Sequence, residues 1–348
     1  MINKQVEKQS ITRQWFISAG LCLSLLLTGC GESQNEASDR PQVVSTSTII
    51  ADLTETVGGD EIDHKGILQP GADPHVYEPT PRDSVALEKA DLILYNGFNL
   101  EPGIIKMINS TGVKATKFAV GEVVKPLDFK YQGQQESDPH VWGDAENAIA
   151  MTEAIRDRLI ELSPEDEAEF RENAEELIAE LNQVDEWISQ QIATIPEAQR
   201  KLVTTHDAFQ YFTNAYGLEM AGTLIGISTE EQPSAQTVKN LANDIRKMQI
   251  PAIFAETTIN PQLIKTVAEE AGVELAPQEL YSDSLGAPGS EGDSYLKMLI
   301  ANTKSIVESL GGEYQEFAGD STMSSEHVDF KLNRAIAFDT TRDRENCC

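Results

Sequence analysis

The tetrapeptide Asp-Pro-His-Val occurs twice in this chain, at Asp73–Val76 and at Asp138–Val141. Proline fixes its own φ and pushes the residue before it toward an extended shape, so each repeat presents an imidazole from a stiff loop. The aspartates of the repeats, Asp73 and Asp138, are placed to orient the rings by accepting their second N–H, as carboxylates behind metal-bound histidines do. A third imidazole, His206, follows the apolar run Leu202-Val203-Thr204-Thr205 and precedes Asp207-Ala208-Phe209. That places it where a strand gives way to a helix, and ligands of open α/β sheets gather at such strand ends. The 348 residues contain five histidines, so three in such settings point to a nitrogen-rich cation site. His64 and His327 have no comparable context and read as ordinary surface residues.

A site for a divalent first-row metal also needs an anionic donor. Asp283, in the turn-rich segment Tyr281-Ser282-Asp283-Ser284-Leu285-Gly286, is one candidate, and Glu256, at the end of Ala252-Ile253-Phe254-Ala255, is the other. Spacing alone does not choose between them. The sequence has no His-Glu-x-x-His motif and no Gly-x-Ser-x-Gly elbow, so no catalytic residue is assigned and the chain is not read as an enzyme. With 27 Lys+Arg against 57 Asp+Glu, a net charge of −30 excludes nucleic acid as partner, because phosphate binding needs basic stripes.

Strands alternating with amphipathic helices must position these residues. Val43–Ser47, Leu92–Tyr95, Lys114–Val120, Leu202–Thr205, Ala252–Ala255 and Val273–Leu275 read as strands. Ile49–Val57, Asp207–Tyr216 and Pro261–Gly272 read as helices, which together predict an α/β fold with parallel sheets. Between the halves, Phe170, Ala174, Leu177, Leu181, Val184 and Ile188 recur at helical spacing. They predict one helix over Pro164–Ile195, started by Ser163 as cap and long enough, at roughly 45 Å, to run the length of a two-lobed protein. Its acidic outer faces read as solvated surface.

The N-terminus has a basic start, an apolar run from Trp15 to Leu27 and the ending Leu27-Thr28-Gly29-Cys30. That is the layout of an export signal, and its ending resembles the bacterial lipobox, in which the cysteine becomes the acylated first residue. The expected organisation is a signal over 1–29, a flexible tether over 30–41 and an N-terminal lobe over 42–163. The linking helix then takes 164–196, a C-terminal lobe 197–312, and an extension of unassigned role 313–348. The vicinal pair Cys347-Cys348 cannot staple a core, so the fold is expected not to depend on disulfides.

In this order, the lipobox, Gly-Ala-Asp-Pro-His at 71–75, Asp-Pro-His-Val-Trp at 138–142, Thr-Thr-His-Asp-Ala-Phe at 204–209, Gly-Ile-Ser-Thr at 226–229 and Ser-Asp-Ser at 282–284 resemble the metal-binding lipoproteins of bacterial ABC importers for manganese and zinc. The resemblance covers nearly all of residues 42–312. It implies two α/β lobes joined by one long rigid helix, with the metal held between them by His75, His140, His206 and Asp283. Asp283 is thereby preferred to Glu256. It further implies a monomer, exported and tethered to the membrane through lipid on Cys30, that captures a divalent ion and delivers it to a membrane permease. An adhesin role is sometimes attributed to such proteins and has no feature of its own here. Many zinc members carry a His-rich loop between the first two ligands, whereas Val76–Pro139 contains no histidine, and Gly226–Glu231 is similar to the manganese type. Mn2+ is therefore the expected cargo, with Zn2+ the alternative because three nitrogens and a carboxylate suit tetrahedral zinc.

Overall fold

The computed structural model describes residues 40–319, apart from 111–113 and 132–133. The export signal with Cys30, most of the tether, His327 and Cys347-Cys348 lie outside the described residues.

The N-terminal lobe is built on four parallel strands in the order β2-β1-β3-β4, with β1 Gln42–Ser45, β2 Asp63–Gly66, β3 Leu92–Tyr95 and β4 Thr116–Ala119. The first strand ends two residues earlier than the sequence suggests. Ser47 instead caps helix α1 (Thr48–Gly58), its hydroxyl accepting the Ile50 N–H at 3.2 Å. Helices α2 (Pro81–Lys89) and α3 (Pro102–Ser110) complete the parallel crossovers. An antiparallel hairpin, β5 Asp128–Tyr131 and β6 Gln134–Ser137, then leads into the second Asp-Pro-His loop.

Helix α4 (Ala145–Leu162) turns back at Ser163 into the long helix α5 (Glu167–Ala193). Ser163 is not the side-chain cap of α5. Its hydroxyl donates to Asp166 Oδ2 at 2.6 Å, Pro164 heads a short 3₁₀ turn, and the α-helix starts at Glu167. The helix is thus 27 residues, about 40 Å long. Phe170, Ala174, Leu177, Leu181, Val184 and Ile188 are all buried along it, as the spacing predicts. They pack against α1 and α4 in one lobe and against α9 (Tyr295–Ser309) from the other. Each fully buried Leu or Phe contributes roughly 1.5–3 kcal/mol, which holds this helix as the spine of both lobes. Residues 313–317, the start of the extension, lie on the same helix. Tyr314 and Phe317 meet Trp187 edge-on, Trp187 Nε1 donates to Gln315 O at 3.1 Å, and Gln315 N donates to Gln191 Oε1 at 2.7 Å.

The C-terminal lobe has two short parallel pairs, β7 Lys201–Thr204 with β8 Glu219–Thr223 and β9 Ala252–Ile253 with β10 Glu274–Leu275. They join where Phe254 N donates to Val203 O at 2.9 Å. Helix α6 (Gln210–Tyr216) ends at Gly217, whose φ of 74° is the left-handed cap that glycine adopts freely. Helices α7 (Ala235–Met248) and α8 (Gln262–Ala271) cover the strands. At the β8 bulge, a Cβ on Gly222 would lie 2.8 Å from Leu241 Cδ1, so glycine lets α7 pack closely.

One buried acid in the N-terminal lobe has a measurable cost. Glu101 is 1% exposed; its Oε1 accepts from Thr46 Oγ1 and Asn96 N at 2.7 Å each, and its Oε2 has no hydrogen-bond partner. Burial pushes its carboxyl up to about 7 from the ordinary 4.5, against the two hydrogen bonds. Between those values the folded carboxyl holds a proton that the unfolded chain has lost, so this group's contribution to stability falls as pH rises. Glu101→Gln should match the unaltered chain near pH 5 and exceed it at pH 8 by up to about 3 kcal/mol. Thermal melts at the two pH values check this; equal melting temperatures at pH 8 refute it.

Candidate metal centre

Four loops deliver the chemistry. The chain leaves β2, runs beside the end of β1 through Leu68 N to Thr46 O at 3.0 Å, and reaches the first Asp-Pro-His loop. The second loop is held from the sheet by Asn96, which donates from Nδ2 to Pro139 O at 2.9 Å. His206 follows β7, whose Thr204 hydroxyl donates to His206 O at 2.7 Å. Asp283 follows Leu280, whose N–H donates to Ala255 O at 2.9 Å beside Glu256.

His75, His140, His206 and Asp283 converge between the lobes, each at most 4% exposed, with one donor atom apiece lying within 4.8 Å of the others. His75 Nε2 and His140 Nε2 are 3.2 Å apart. Asp283 Oδ1 is 3.5 Å from His140 Nε2, and Oδ2 is 3.8 Å from His75 Nε2 and 3.2 Å from His206 Nε2. Four donors about 2.0–2.2 Å from a common ion form a tetrahedron with edges of about 3.3–3.5 Å, so these separations already approximate the coordination shell of a small divalent cation. His206 Nε2 and both Asp283 oxygens are buried without a hydrogen-bond partner. Such atoms are costly to bury unless something satisfies them, and a cation does.

Carboxylates behind two of the rings turn them toward the cluster. Asp138 Oδ1 faces His140 Nδ1 at 2.7 Å and accepts its backbone N–H at 3.0 Å. Glu256 takes the same part at His206, with Oε1 accepting the backbone N–H at 2.8 Å and Oε2 paired closely with Nδ1. With Nδ1 turned to its carboxylate, each Nε2 points into the cluster. Glu256 therefore stands behind a ring, while Asp283 faces the imidazoles directly. Asp73 differs from the ring-orienting role its sequence suggests. Its Oδ1 accepts the backbone N–H of His75 at 2.9 Å and its Oδ2 accepts the Thr229 hydroxyl at 2.6 Å, so it holds the loop and not the ring. His64, read as a surface residue, is half-buried on β2 with its Nε2 3.0 Å from Ser45 Oγ, apart from the cluster.

The charge states follow from this burial. Burial, together with the nearby His140 and His206, pushes His75 down to about 3 against the pull of Asp283. At His206 burial opposes the charged ring, but the Glu256 and Asp283 carboxylates outweigh it and raise the imidazole well above its ordinary range. Burial also opposes ionised Asp283, yet the His206 ring, then His140 and His75, hold its carboxyl below the usual carboxylate range. The site thus favours positive charge beside His206 and Asp283.

Trp142, which the sequence marks only as part of a motif, ties two candidate ligand loops together. Its ring stacks edge-on against His140 at 5.5 Å, and its Nε1 donates to Ser282 O at 2.9 Å, next to Asp283. Tyr295 in turn donates to Trp142 O at 2.5 Å. An indole two residues after a candidate ligand was the available signal.

Comparisons with known proteins agree with this architecture. Residues 43–309 match the family described as zinc-uptake complex component A, periplasmic. The metal ABC transporter substrate-binding lipoprotein SsaB of Streptococcus sanguinis is 33% identical over 304 residues, covering 85% of this chain and 98% of that protein. The manganese ABC transporter substrate-binding lipoprotein scaA of Streptococcus gordonii is 34% identical over 285 residues, covering 80% of this chain and 91% of its own. Among solved structures, the periplasmic zinc-binding protein TroA from Treponema pallidum superposes with a TM-score of 0.74 at 32% identity, covering 78% of this chain and 99% of the other.

Proposed function

Because the chain belongs to the periplasmic zinc-uptake component A family, a family of substrate-binding transport proteins, we propose that it captures a divalent transition-metal ion between its lobes and delivers it to the permease of an ABC importer. One observation carries the reading. Three imidazole nitrogens and a carboxylate converge within 4.8 Å, buried, with His206 Nε2 and both Asp283 oxygens otherwise unpartnered. In this reading His75, His140, His206 and Asp283 are the ligands, and Asp138 and Glu256 fix the tautomers of two of the rings. The ion links donors from both lobes, so loading favours the closed arrangement and gives a permease a shape by which to tell full from empty. The protein acts as a monomer outside the cytoplasm, held to the membrane by lipid on Cys30.

Manganese is the cargo that the observations support best. The curated relatives include manganese-named lipoproteins, and Val76–Pro139 lacks histidine. Both Asp283 oxygens face the imidazoles, offering five donors where a closed structural zinc site uses four. Zinc is the second reading, favoured by the near-tetrahedral donor spacing and by the likeness to TroA. Intrinsic affinity does not decide the biological cargo, since zinc outranks manganese at almost any such site.

Two measurements test the proposal. Calorimetric titration of the purified full chain should show one Mn2+ or one Zn2+ per chain, in competition for one site. A chain that binds neither ion overturns capture. Cells lacking the protein should lose accumulated manganese with zinc unchanged, whereas loss of zinc alone would establish the second reading.

A further inference from the structure

The three imidazoles are not held alike. His140 and His206 each have a carboxylate at Nδ1 from their own lobe, Asp138 and Glu256. Separating the lobes leaves those pairs intact. Among the described residues no carboxylate faces the second ring nitrogen of His75. Its loop is held instead through Asp73, whose Oδ1 accepts the His75 N–H while its Oδ2 accepts the hydroxyl of Thr229, 156 residues away in the opposite lobe, at 2.6 Å. That length is typical of a charge-assisted O–H···O⁻ bond, among the stronger hydrogen bonds of a protein. A second link across the lobes ties the same loop beside Asp283, with Gly71 N donating to Ser284 Oγ at 2.8 Å. Both links are lost together when the lobes part.

We propose that Thr229 is a positioning residue for metal exchange: acting through Asp73, it holds His75 on the ion only while the lobes are closed, so that His75 is the last ligand to join and the first to leave. The inference rests on the capture reading and adds an order of events to it. An incoming ion meets rings already set within their own lobes, His206 beside Asp283 in one and His140 in the other. Closure then brings Asp73 to Thr229 and delivers His75. On release, loss of the Asp73–Thr229 bond frees the His75 loop and lowers the coordination by one nitrogen before the remaining ligands let go.

The test is stopped-flow release of Mn2+ from the full chain into excess chelator. Thr229→Val, which keeps the shape and removes the hydroxyl, should release the ion about tenfold faster, the scale of one hydrogen bond to a charged acceptor. Association and the melting temperature of the metal-free chain should stay as in the unaltered protein. Thr229→Ser should restore slow release. In a His75→Ala background the Thr229→Val change should add nothing, because the residues act through one another. Equal release from Thr229→Val and the unaltered chain, fast release from Thr229→Ser, or an additive effect beside His75→Ala each overturn the proposal while capture stands. An unaltered chain that binds neither Mn2+ nor Zn2+ overturns capture itself, and this proposal with it.

Discussion

Asp283→Ala is expected to all but abolish metal capture while only modestly lowering the stability of the metal-free fold. Asp283 is 1% exposed and is, among the described residues, the carboxylate facing the three imidazoles, with neither oxygen bonded outside the cluster. Removing one partner from a buried charged site costs about 3–5 kcal/mol, so the affinity should fall by about a thousandfold. The metal-free chain loses something as well. Burial opposes the ionised carboxylate, but the imidazoles, His206 first, outweigh it and hold the carboxyl below its usual range, so at neutral pH the charge stabilises the folded chain. The alanine variant forgoes that contribution, and its metal-free melting temperature should be modestly lower. At a metal concentration of about 1,000 times Kd the unaltered chain should gain about 4 kcal/mol, a rise in melting temperature of about 10 °C for a protein of this size. The variant, by then at about its own Kd, should gain only about 0.4 kcal/mol, a rise of about 1 °C. A retained shift would remove Asp283 from the site, and a collapse of the metal-free melting temperature would show that its role is structural.

The second large effect belongs to Glu256, which touches the ion only through His206. Glu256→Gln should weaken metal binding by about 10–100-fold, the usual range for a carboxylate behind a metal-bound imidazole. It should also change the pH dependence. In the unaltered chain burial opposes a charged His206, but Glu256 and then Asp283 raise it well above the ordinary imidazole range. An incoming cation must displace that proton, so affinity should climb with pH through neutrality by up to about tenfold per unit. His75, held down to about 3, is already neutral and adds nothing to that slope. The steep part of the profile therefore belongs to His206 and lies above the pH 6 to 7 window that unperturbed imidazoles would give. Without the Glu256 charge the imidazole is less basic, so the slope should flatten. Calorimetry in buffers of different ionisation enthalpy counts the protons released. One proton at pH 7 from the unaltered chain and a fraction from Glu256→Gln is the expected pair of values, and equal release from both would sink the assignment.

Much of the fold was legible because its signals are local. The apolar spacing from Phe170 to Ile188 marks the spine, and Leu92–Tyr95 marks a strand to the residue. Less legible were α4, α9 and the short hairpin, whose apolar and polar residues are weakly segregated, and the junction at Ser163, where a cap-like sequence closes one helix and turns into the next. The start of the extension carries no local signal, since Tyr314 and Phe317 gain their meaning only from Trp187 on a distant helix.

The site divides along the same line. Residue type and stiff-loop chemistry singled out His75, His140 and His206 from the sequence. Choosing Asp283 over Glu256 needed resemblance, and what each acid does needed coordinates. One carboxylate faces the imidazoles and the other faces a ring nitrogen from behind, a difference set by the packing of β9 against the loop after Leu280. The repeated Asp-Pro-His-Val shows the division most sharply. In both copies the aspartate accepts the histidine's backbone N–H, a bond two residues long that the sequence alone dictates. Beyond it the copies part, because Asp138 also faces its own histidine's ring while the second oxygen of Asp73 meets Thr229 from the other lobe. A partner 156 residues distant is brought there by tertiary packing, and no local spacing encodes it.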